Sequence, residues 1–117
     1  MIFSIDPVGA VRYSKASGYR PDWARYAEYK TALAWMAAAH RYEISVPLSL
    51  RFVLPMPASW SAKKKAEQDG QPHRSKPDLD NLIKGFKDAL LSEDSAVWQY
   101  GPMEKRWGTA GAIVVLS

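Results

Sequence analysis

The sequence contains no cysteine, which excludes disulfide bonds and thiolate zinc sites. It also lacks the run of about 18 apolar residues that a membrane span requires. Its first residues, MIFSIDPVGAV, include neither a basic segment nor a long apolar one. We therefore expect no signal peptide and no membrane-spanning helix. The missing cysteine suits a reducing compartment.

The residues that are present have the composition of a folded domain. The chain has 117 residues, of which 47% are hydrophobic and 12% aromatic. This is the usual size of one domain, and it can bury a core without disulfides or metals. The formal net charge is only +4, so the overall charge says less about partners than its local clustering does.

Positive charge is concentrated in the polar stretch from Ala58 to Pro77, where Glu67 and Asp69 are the acidic residues. Its basic residues are Lys63, Lys64, Lys65, Arg74 and Lys76. We predict a loop here, with one helical turn through the lysines. Such a charge run is usually a solvated loop, and a loop this long is either functional or disordered. The functional interpretation is a surface for a polyanion.

Apolar residues at spacings of three and four predict two helices. The first runs from Trp23 to about Arg41, with Asp22 as its N-cap. Its core-facing residues are Tyr26, Tyr29, Leu33, Met36 and His40. The second helix runs from about Asp80 to Leu91. Its core-facing residues are Leu82, Ile83, Phe86, Ala89 and Leu90.

Alternation of apolar and polar residues predicts a long, half-buried strand in YEISVPLSLRFVLPMP. Its core-facing residues are Ile44, Val46, Leu48, Leu50, Phe52 and Leu54. Pro47 favours an edge position or a bulge near its start. Shorter strands are predicted at Ile2–Ile5, Ala10–Arg12, Val97–Tyr100, Lys105–Trp107 and Ala110–Leu116. Gly101 and Pro102 are expected to end the strand at Tyr100.

This order of strands, helix, strand, loop, helix and strands predicts an α+β fold. We expect a single domain over residues 1–117, with a mixed β-sheet and the two main helices packed on one face. The sequence contains no internal repeats.

Two carboxylates stand at the start of the second helix. If the chain is extended there, Asp78 and Asp80 point the same way, and Lys84 lies one helical turn beyond Asp80. Helix capping alone could explain Asp80, but a cap does not require Asp78. Two like charges side by side cost energy unless a cation or a proton lies between them. Carboxylate oxygens are ligands that suit Mg²⁺ or Mn²⁺.

A second acidic pair, Glu93 and Asp94, follows the end of this helix. Negative charge is unfavourable near a helix C-terminus. The pair is either an ordinary exposed turn or the source of a third metal ligand, brought back toward the helix start by the chain that follows.

These residues make the sequence recognisable. The segment KPDLDNLIKGFKDALL, followed by EDSAVW, resembles the RusA family of Holliday junction resolvases, particularly its phage-type members. The preceding MPASWSAKKKAEQDGQPHRSKPD and the later EKRWG are similar to that family as well. The resemblance covers about Val53 to Gly108. Where the family often has Asp-Asp-x-Gln, this chain has Glu93-Asp94-Ser95-Ala96.

The resemblance implies a RusA-like, homodimeric endonuclease that depends on Mg²⁺, with Mn²⁺ as a substitute. It would bind four-way DNA junctions in recombination and repair and nick two strands symmetrically. It would act in the cytoplasm of a bacterial or phage-infected cell. Its catalytic residues would be Asp78, Asp80, Lys84 and Asp94.

In the implied mechanism the three aspartates hold the metal, and Lys84 stabilises the transition state. Backbone phosphates would be contacted by basic residues without sequence readout. These are Lys63, Lys64, Lys65, Arg74, Lys76, Lys105 and Arg106. Trp60 either stacks on an unpaired base or packs the loop onto the core. The alternatives are a non-catalytic DNA-binding module, a general branched-DNA or flap nuclease, and a small-molecule phosphohydrolase.

Overall fold

A mixed β-sheet and three α-helices make up the computed structural model of the chain, which describes residues 1–11 and 21–117. The predicted α+β class is therefore confirmed. The elements are β1 (Ile2–Phe3), α1 (Pro21–Ala39), β2 (Leu48–Pro55), α2 (Ala62–Gln68), α3 (Leu79–Leu90), a 3₁₀ turn (Asp94–Ala96), β3 (Tyr100–Gly108) and β4 (Ala112–Val115).

The chain divides into two compact units. The sheet unit comprises Met1–Pro7, Ser45–Lys76 and Val97–Ser117, and the helix unit comprises Val8–Ile44 and Pro77–Ala96. The sheet unit contains all the described strands together with α2, whereas the helix unit contains α1, α3 and the 3₁₀ turn.

The sheet has the strand order β1-β4-β2-β3. Strand β2 pairs in parallel with β3 and antiparallel with β4, and β4 pairs antiparallel with β1. The predicted core face is confirmed from Leu48 onward, since Leu48, Leu50, Phe52 and Leu54 are buried. Its first part is wrong, because the strand begins only at Leu48, and Ile44 and Val46 lie before it and are half-buried. Of the two alternatives for Pro47, the bulge near the start of the strand agrees with the register shift between Leu48 and Leu50, whereas the edge position is wrong. Strand β2 is central, and Pro47 is tolerated because β2 begins one residue after it.

The predicted break at Gly101 and Pro102 is also wrong, because β3 runs through both residues. Strand β3 is an edge strand, where a proline without an N–H costs little. The β2–β3 register shifts between Leu48 and Leu50, opposite this point. The Ser49 hydroxyl donates a hydrogen bond of 2.5 Å to the Pro102 carbonyl, which holds the two strands together there.

The predicted strand Lys105–Trp107 is part of the longer β3, whereas the remaining short strands are shorter than predicted or absent from the described residues. Strand β1 ends at Phe3 and β4 covers only Ala112–Val115. Of Val97–Tyr100 only Tyr100 is in a strand. Ala10 and Val11 are not in a strand, and the rest of that predicted strand, Arg12, lies outside the described residues.

In the helix unit, α1 begins at Pro21, so Asp22 lies in its first turn instead of capping it. An acidic residue in that turn still interacts favourably with the helix dipole. Of the predicted core face, Tyr26, Tyr29 and Leu33 are buried, as is Ala37. His40 is exposed, one residue beyond the helix end. From α3, the buried side chains are those of Leu82 and Phe86.

The polar stretch 58–77 contains a helix of seven residues, α2, which is more than the single turn predicted. Ser61 caps it, since its hydroxyl oxygen accepts a hydrogen bond of 3.1 Å from the Lys64 N–H. Within the described parts of the chain, no helix has the length and apolar character needed to cross a membrane.

Candidate active site

The start of α3 presents two carboxylates. Asp78, not Asp80, occupies the N-cap position, with φ −65° and ψ 146°, but its side chain makes no capping hydrogen bond. Asp80 lies in the first helical turn. The predicted strand-like alignment of the two is therefore wrong, because the backbone is already helical at Leu79. Both side chains are exposed, and neither has a hydrogen bond or ion pair to another described residue.

Lys84 lies between two other carboxylates. Its Nζ is 3.0 Å from Asp94 Oδ2 and 3.3 Å from Asp88 Oδ1. The contact with Asp94 follows from the 3₁₀ turn, which begins at Asp94 soon after α3 ends. The structure thus brings together two of the four predicted catalytic residues, Lys84 and Asp94. It joins them to Asp88, which lies four residues beyond Lys84 on the same helix.

These contacts fix the charge states of the cluster. The hydrogen bond to Asp94, followed by the one to Asp88, raises the pKa of Lys84 above its ordinary value. The ammonium of Lys84 in turn lowers the pKa of Asp94. Lys84 is therefore a cation and Asp94 an anion at neutral pH, as a charge-stabilising lysine requires.

Tyr26 of α1 holds this cluster from the buried side. Its hydroxyl donates a hydrogen bond of 2.8 Å to Asp88 Oδ2, and its side chain is buried. Burial first, and Asp88 second, raise the pKa of Tyr26, so it remains a neutral donor. A Cβ atom at Gly85 would lie 3.3 Å from the Tyr26 ring, so glycine allows the two helices this close approach. The sequence identified Tyr26 only as a core residue.

We expect Tyr26→Phe to lower the free energy of unfolding by about 1–2 kcal/mol, because a partly buried carboxylate loses its donor. Urea denaturation measures this change. In a double-mutant cycle with Asp88→Ala, the two losses should be clearly less than additive, since both remove the same bond. Additive losses would show that the bond contributes nothing.

The three predicted metal ligands do not form one cluster. Within residues 1–11 and 21–117, no group of three or more histidine, cysteine or acidic side chains is arranged to hold a metal ion. Asp78 and Asp80 nevertheless have unengaged carboxylate oxygens, and Asp94 has a second oxygen besides the one facing Lys84. This donor set fits Mg²⁺, which takes one or two carboxylates and fills its remaining positions with water and substrate phosphate.

A second candidate surface lies in the sheet unit, where stacked side chains join α2 to β3. We call this stack of His73, Trp107, Trp60 and Lys64 the aromatic pile. The rings of His73 and Trp107 have centroids 4.0 Å apart, and those of Trp107 and Trp60 are 4.8 Å apart. The Nζ of Lys64 lies over the Trp60 ring, 4.2 Å from its centroid. Burial, followed by the nearby charge of Lys105, lowers the pKa of His73. The imidazole at the buried end of the pile is therefore uncharged at neutral pH.

Backbone hydrogen bonds attach residues 70–73 to the outer edge of β3. The Trp107 N–H donates to the Gln71 carbonyl at 3.0 Å, and the His73 N–H donates to the Lys105 carbonyl at 3.0 Å. Two predicted DNA ligands strengthen this attachment. Arg106 donates to the Gly70 carbonyl at 2.8 Å and pairs with Glu104, while Lys105 donates to the Ser75 carbonyl.

The pile forms one wall of a groove of about 490 Å³. The groove is lined by Trp60, Lys64, Glu67, Gln68, Gln71, Pro72, Arg74, Ser75 and Trp107. Of the other basic residues predicted to bind DNA, Lys63 and Lys76 are exposed and Lys65 is half-buried. Trp107 and His73 were not singled out from the sequence, because no periodic pattern connects them with Trp60.

Comparison with known proteins gives one family. A family model described as "Endodeoxyribonuclease RusA" matches residues 5–115. The uncharacterized protein YqaN of Bacillus subtilis (strain 168) is 38% identical over 92 residues, which cover 72% of this chain and 63% of YqaN. The match therefore spans less than two thirds of that relative. No solved structure matches the chain significantly.

Proposed function

Because the chain belongs to the RusA endodeoxyribonuclease family, we propose that it is a metal-dependent endonuclease that resolves four-way DNA junctions. The observation that carries this proposal is the polar surface of α3. Two unengaged carboxylates, Asp78 and Asp80, stand at its start, and a lysine held by two further carboxylates follows one turn later. The helix dipole alone favours an acidic residue at this end of α3, but it does not account for a lysine held by two further carboxylates one turn later.

In this proposal Asp78, Asp80 and Asp94 hold a divalent cation, Mg²⁺ or Mn²⁺. Such a cation supplies Lewis-acid chemistry for the hydrolysis of a phosphodiester. Lys84 directs a fixed positive charge at the negative charge that develops on the phosphate during the reaction. Asp88 and Tyr26 act as positioning residues, since Asp88 holds Lys84 and the buried Tyr26 holds Asp88.

The sheet unit would supply affinity for the DNA backbone. Lys63, Lys64 and Arg74 are exposed, and such cations bind phosphates without reading sequence. Lys105 and Arg106 would have to contact DNA while they also hold residues 70–75. We further propose a homodimer that makes paired symmetric nicks, because two-fold symmetry in the protein matches that of a junction. Its role would be in DNA recombination and repair in the cytoplasm.

A labelled four-way junction and a linear duplex of matched sequence, each with Mg²⁺ or with EDTA, test this function. We expect paired nicks in the junction alone, and only with Mg²⁺. A flapped duplex in the same series should be a poor competitor. Equal cutting of junction and flap would replace the proposal with a general branched-DNA nuclease.

A second candidate is a non-catalytic junction-binding protein. It is favoured by one observation: Asp94 is paired with Lys84 and does not join Asp78 and Asp80 in a cluster. Junction binding without cleavage in Mg²⁺, Mn²⁺ or any other divalent cation would establish this alternative. Titration calorimetry with Mg²⁺ alone separates the two, since a binding module need not take up the ion.

A further inference from the structure

The groove beside the aromatic pile has the features of a nucleotide site. We propose that it binds an unpaired DNA base over Trp60, with the adjoining phosphates held by Lys64 and Arg74. This inference rests on the proposed function in one respect, since it takes the polymer to be DNA. The proposed function assigns only phosphate contacts to the sheet unit, and the groove adds a subsite for a base.

The volume and lining of the groove suit a nucleobase. Its volume of about 490 Å³ falls within the range of about 300–1,000 Å³ for small-molecule sites. Trp60 and Trp107 supply aromatic surface, and stacking on such surface accepts any base. Gln68, Gln71 and Glu67 place hydrogen-bonding groups around the same space, and glutamate suits the amino group of cytosine.

At the outer end of the aromatic pile, the Lys64 ammonium can be replaced by a nucleobase. His73 at the base is buried, whereas the Lys64 side chain that covers Trp60 is exposed. An exposed cation–π contact is weak. A base that stacked on Trp60 would displace the ammonium of Lys64, which would then be free to meet the phosphate beside that base.

Arg74 is the second cation available at the groove. It is exposed and has no hydrogen bond or ion pair to another described residue. Arg106, by contrast, is engaged with Glu104 and Gly70. A guanidinium that lines a groove without an internal partner is well suited to a phosphate, which it can bind in bidentate fashion.

A purely structural role for Trp60 accounts for less of this arrangement. Residues 70–73 are already fixed to β3 by backbone bonds from Gly70, Trp107 and His73. His73 packs on Trp107 and completes that attachment. Trp60 is not needed for it, and a structural role for Trp60 would not explain Lys64, Arg74 and three polar side chains around one space.

The test uses a short oligothymidylate with a central 2-aminopurine, in EDTA so that no cleavage occurs. We expect the wild-type chain to change the fluorescence of this base on binding, because an aromatic ring stacks on it. Trp60→Leu should bind about 10-fold more weakly and lose the fluorescence change. Trp35→Leu, which alters an exposed tryptophan on α1, should behave as the wild type. Trp60→Phe should keep most of the signal.

Two lysine variants provide an independent test if Trp60→Leu fails to fold. Lys63 and Lys64 are both exposed on α2, but only Lys64 lines the groove. Lys63→Ala and Lys64→Ala should lose similar amounts of salt-dependent affinity for the oligonucleotide. Only Lys64→Ala should alter the 2-aminopurine signal. Equal signals in the two, or a folded Trp60→Leu that binds as the wild type does, would overturn the site. Because no metal is used, a chain that cleaves junctions but fails here keeps its proposed function and loses only this site.

Discussion

Replacing Asp80 by asparagine is expected to abolish cleavage of a four-way junction while leaving junction binding unchanged or tighter. Asparagine keeps the size of the side chain but removes its charge. A bound metal ion supplies several kcal/mol of transition-state stabilisation, so losing a ligand that holds it should lower the rate by about 1,000-fold or more. Binding should not fall, because a negative charge that repels DNA phosphates is lost. Single-turnover cleavage in Mg²⁺ and junction binding in EDTA measure the two effects.

A matched control lies on α1. Glu28 is exposed in the same unit, so Glu28→Gln removes one negative charge without touching the start of α3. It should cleave at the wild-type rate. If Asp80→Asn remained active, or if both variants lost activity equally, the carboxylate of Asp80 would have no special role. Loss of junction binding in a folded Asp80→Asn would also contradict its assignment as a metal ligand.

Lys84→Ala is expected to slow cleavage by about 100- to 1,000-fold, the cost of removing one preorganised charge from a developing anion. Its ion pairs with Asp88 and Asp94 are largely exposed. Exposed pairs contribute at most about 1 kcal/mol to stability, so the unfolding midpoint in urea should barely move. A large loss of rate with little loss of stability would identify a catalytic role for Lys84.

Two further variants separate charge from geometry at this position. Lys84→Arg keeps the charge but replaces a compact ammonium with a planar fork, so an intermediate rate is expected. Asp88→Asn keeps an acceptor for Tyr26 but weakens the hold on Lys84, and it should slow cleavage less than Lys84→Ala does. If Lys84→Ala cleaved at the wild-type rate, the lysine would serve only to neutralise Asp94.

The residues proposed for the site can be selected from the sequence, but most of the contacts they make cannot. On an isolated helix an acidic residue four positions before a lysine is the preferred partner, which favours Asp80 for Lys84. The structure pairs Lys84 with Asp88 and Asp94 instead. Tyr26 holds Asp88 in place, and the 3₁₀ turn returns Asp94 to the helix surface. The Lys84–Asp88 pair has the local i,i+4 spacing, but the contact from Tyr26 and the return of Asp94 depend on how the chain folds beyond this helix, so no local pattern reveals them.

The fold shows the same division between local and tertiary causes. The alternation around Phe52 predicted a strand with the correct buried face, because that pattern depends only on burial. The strand break predicted at Gly101 and Pro102 is wrong, because β3 is an edge strand, and an edge strand tolerates a proline that a central strand would not. Ring packing joins Trp60, His73 and Trp107, and the pairing of residues 70–73 with β3 places His73 there. Residues so far apart in sequence form no recognisable period.

The attachment of residues 70–73 to β3 also bears on how the protein stays in solution. An uncovered outer strand offers a row of backbone donors and acceptors on which foreign chains add and aggregate. Along Lys105–Trp107 those groups are already occupied by Gln71, His73 and Gly70. Residues 70–73 therefore cover the outer edge of the sheet. Shortening this segment would expose backbone donors and acceptors of β3 and promote self-association, independently of any DNA.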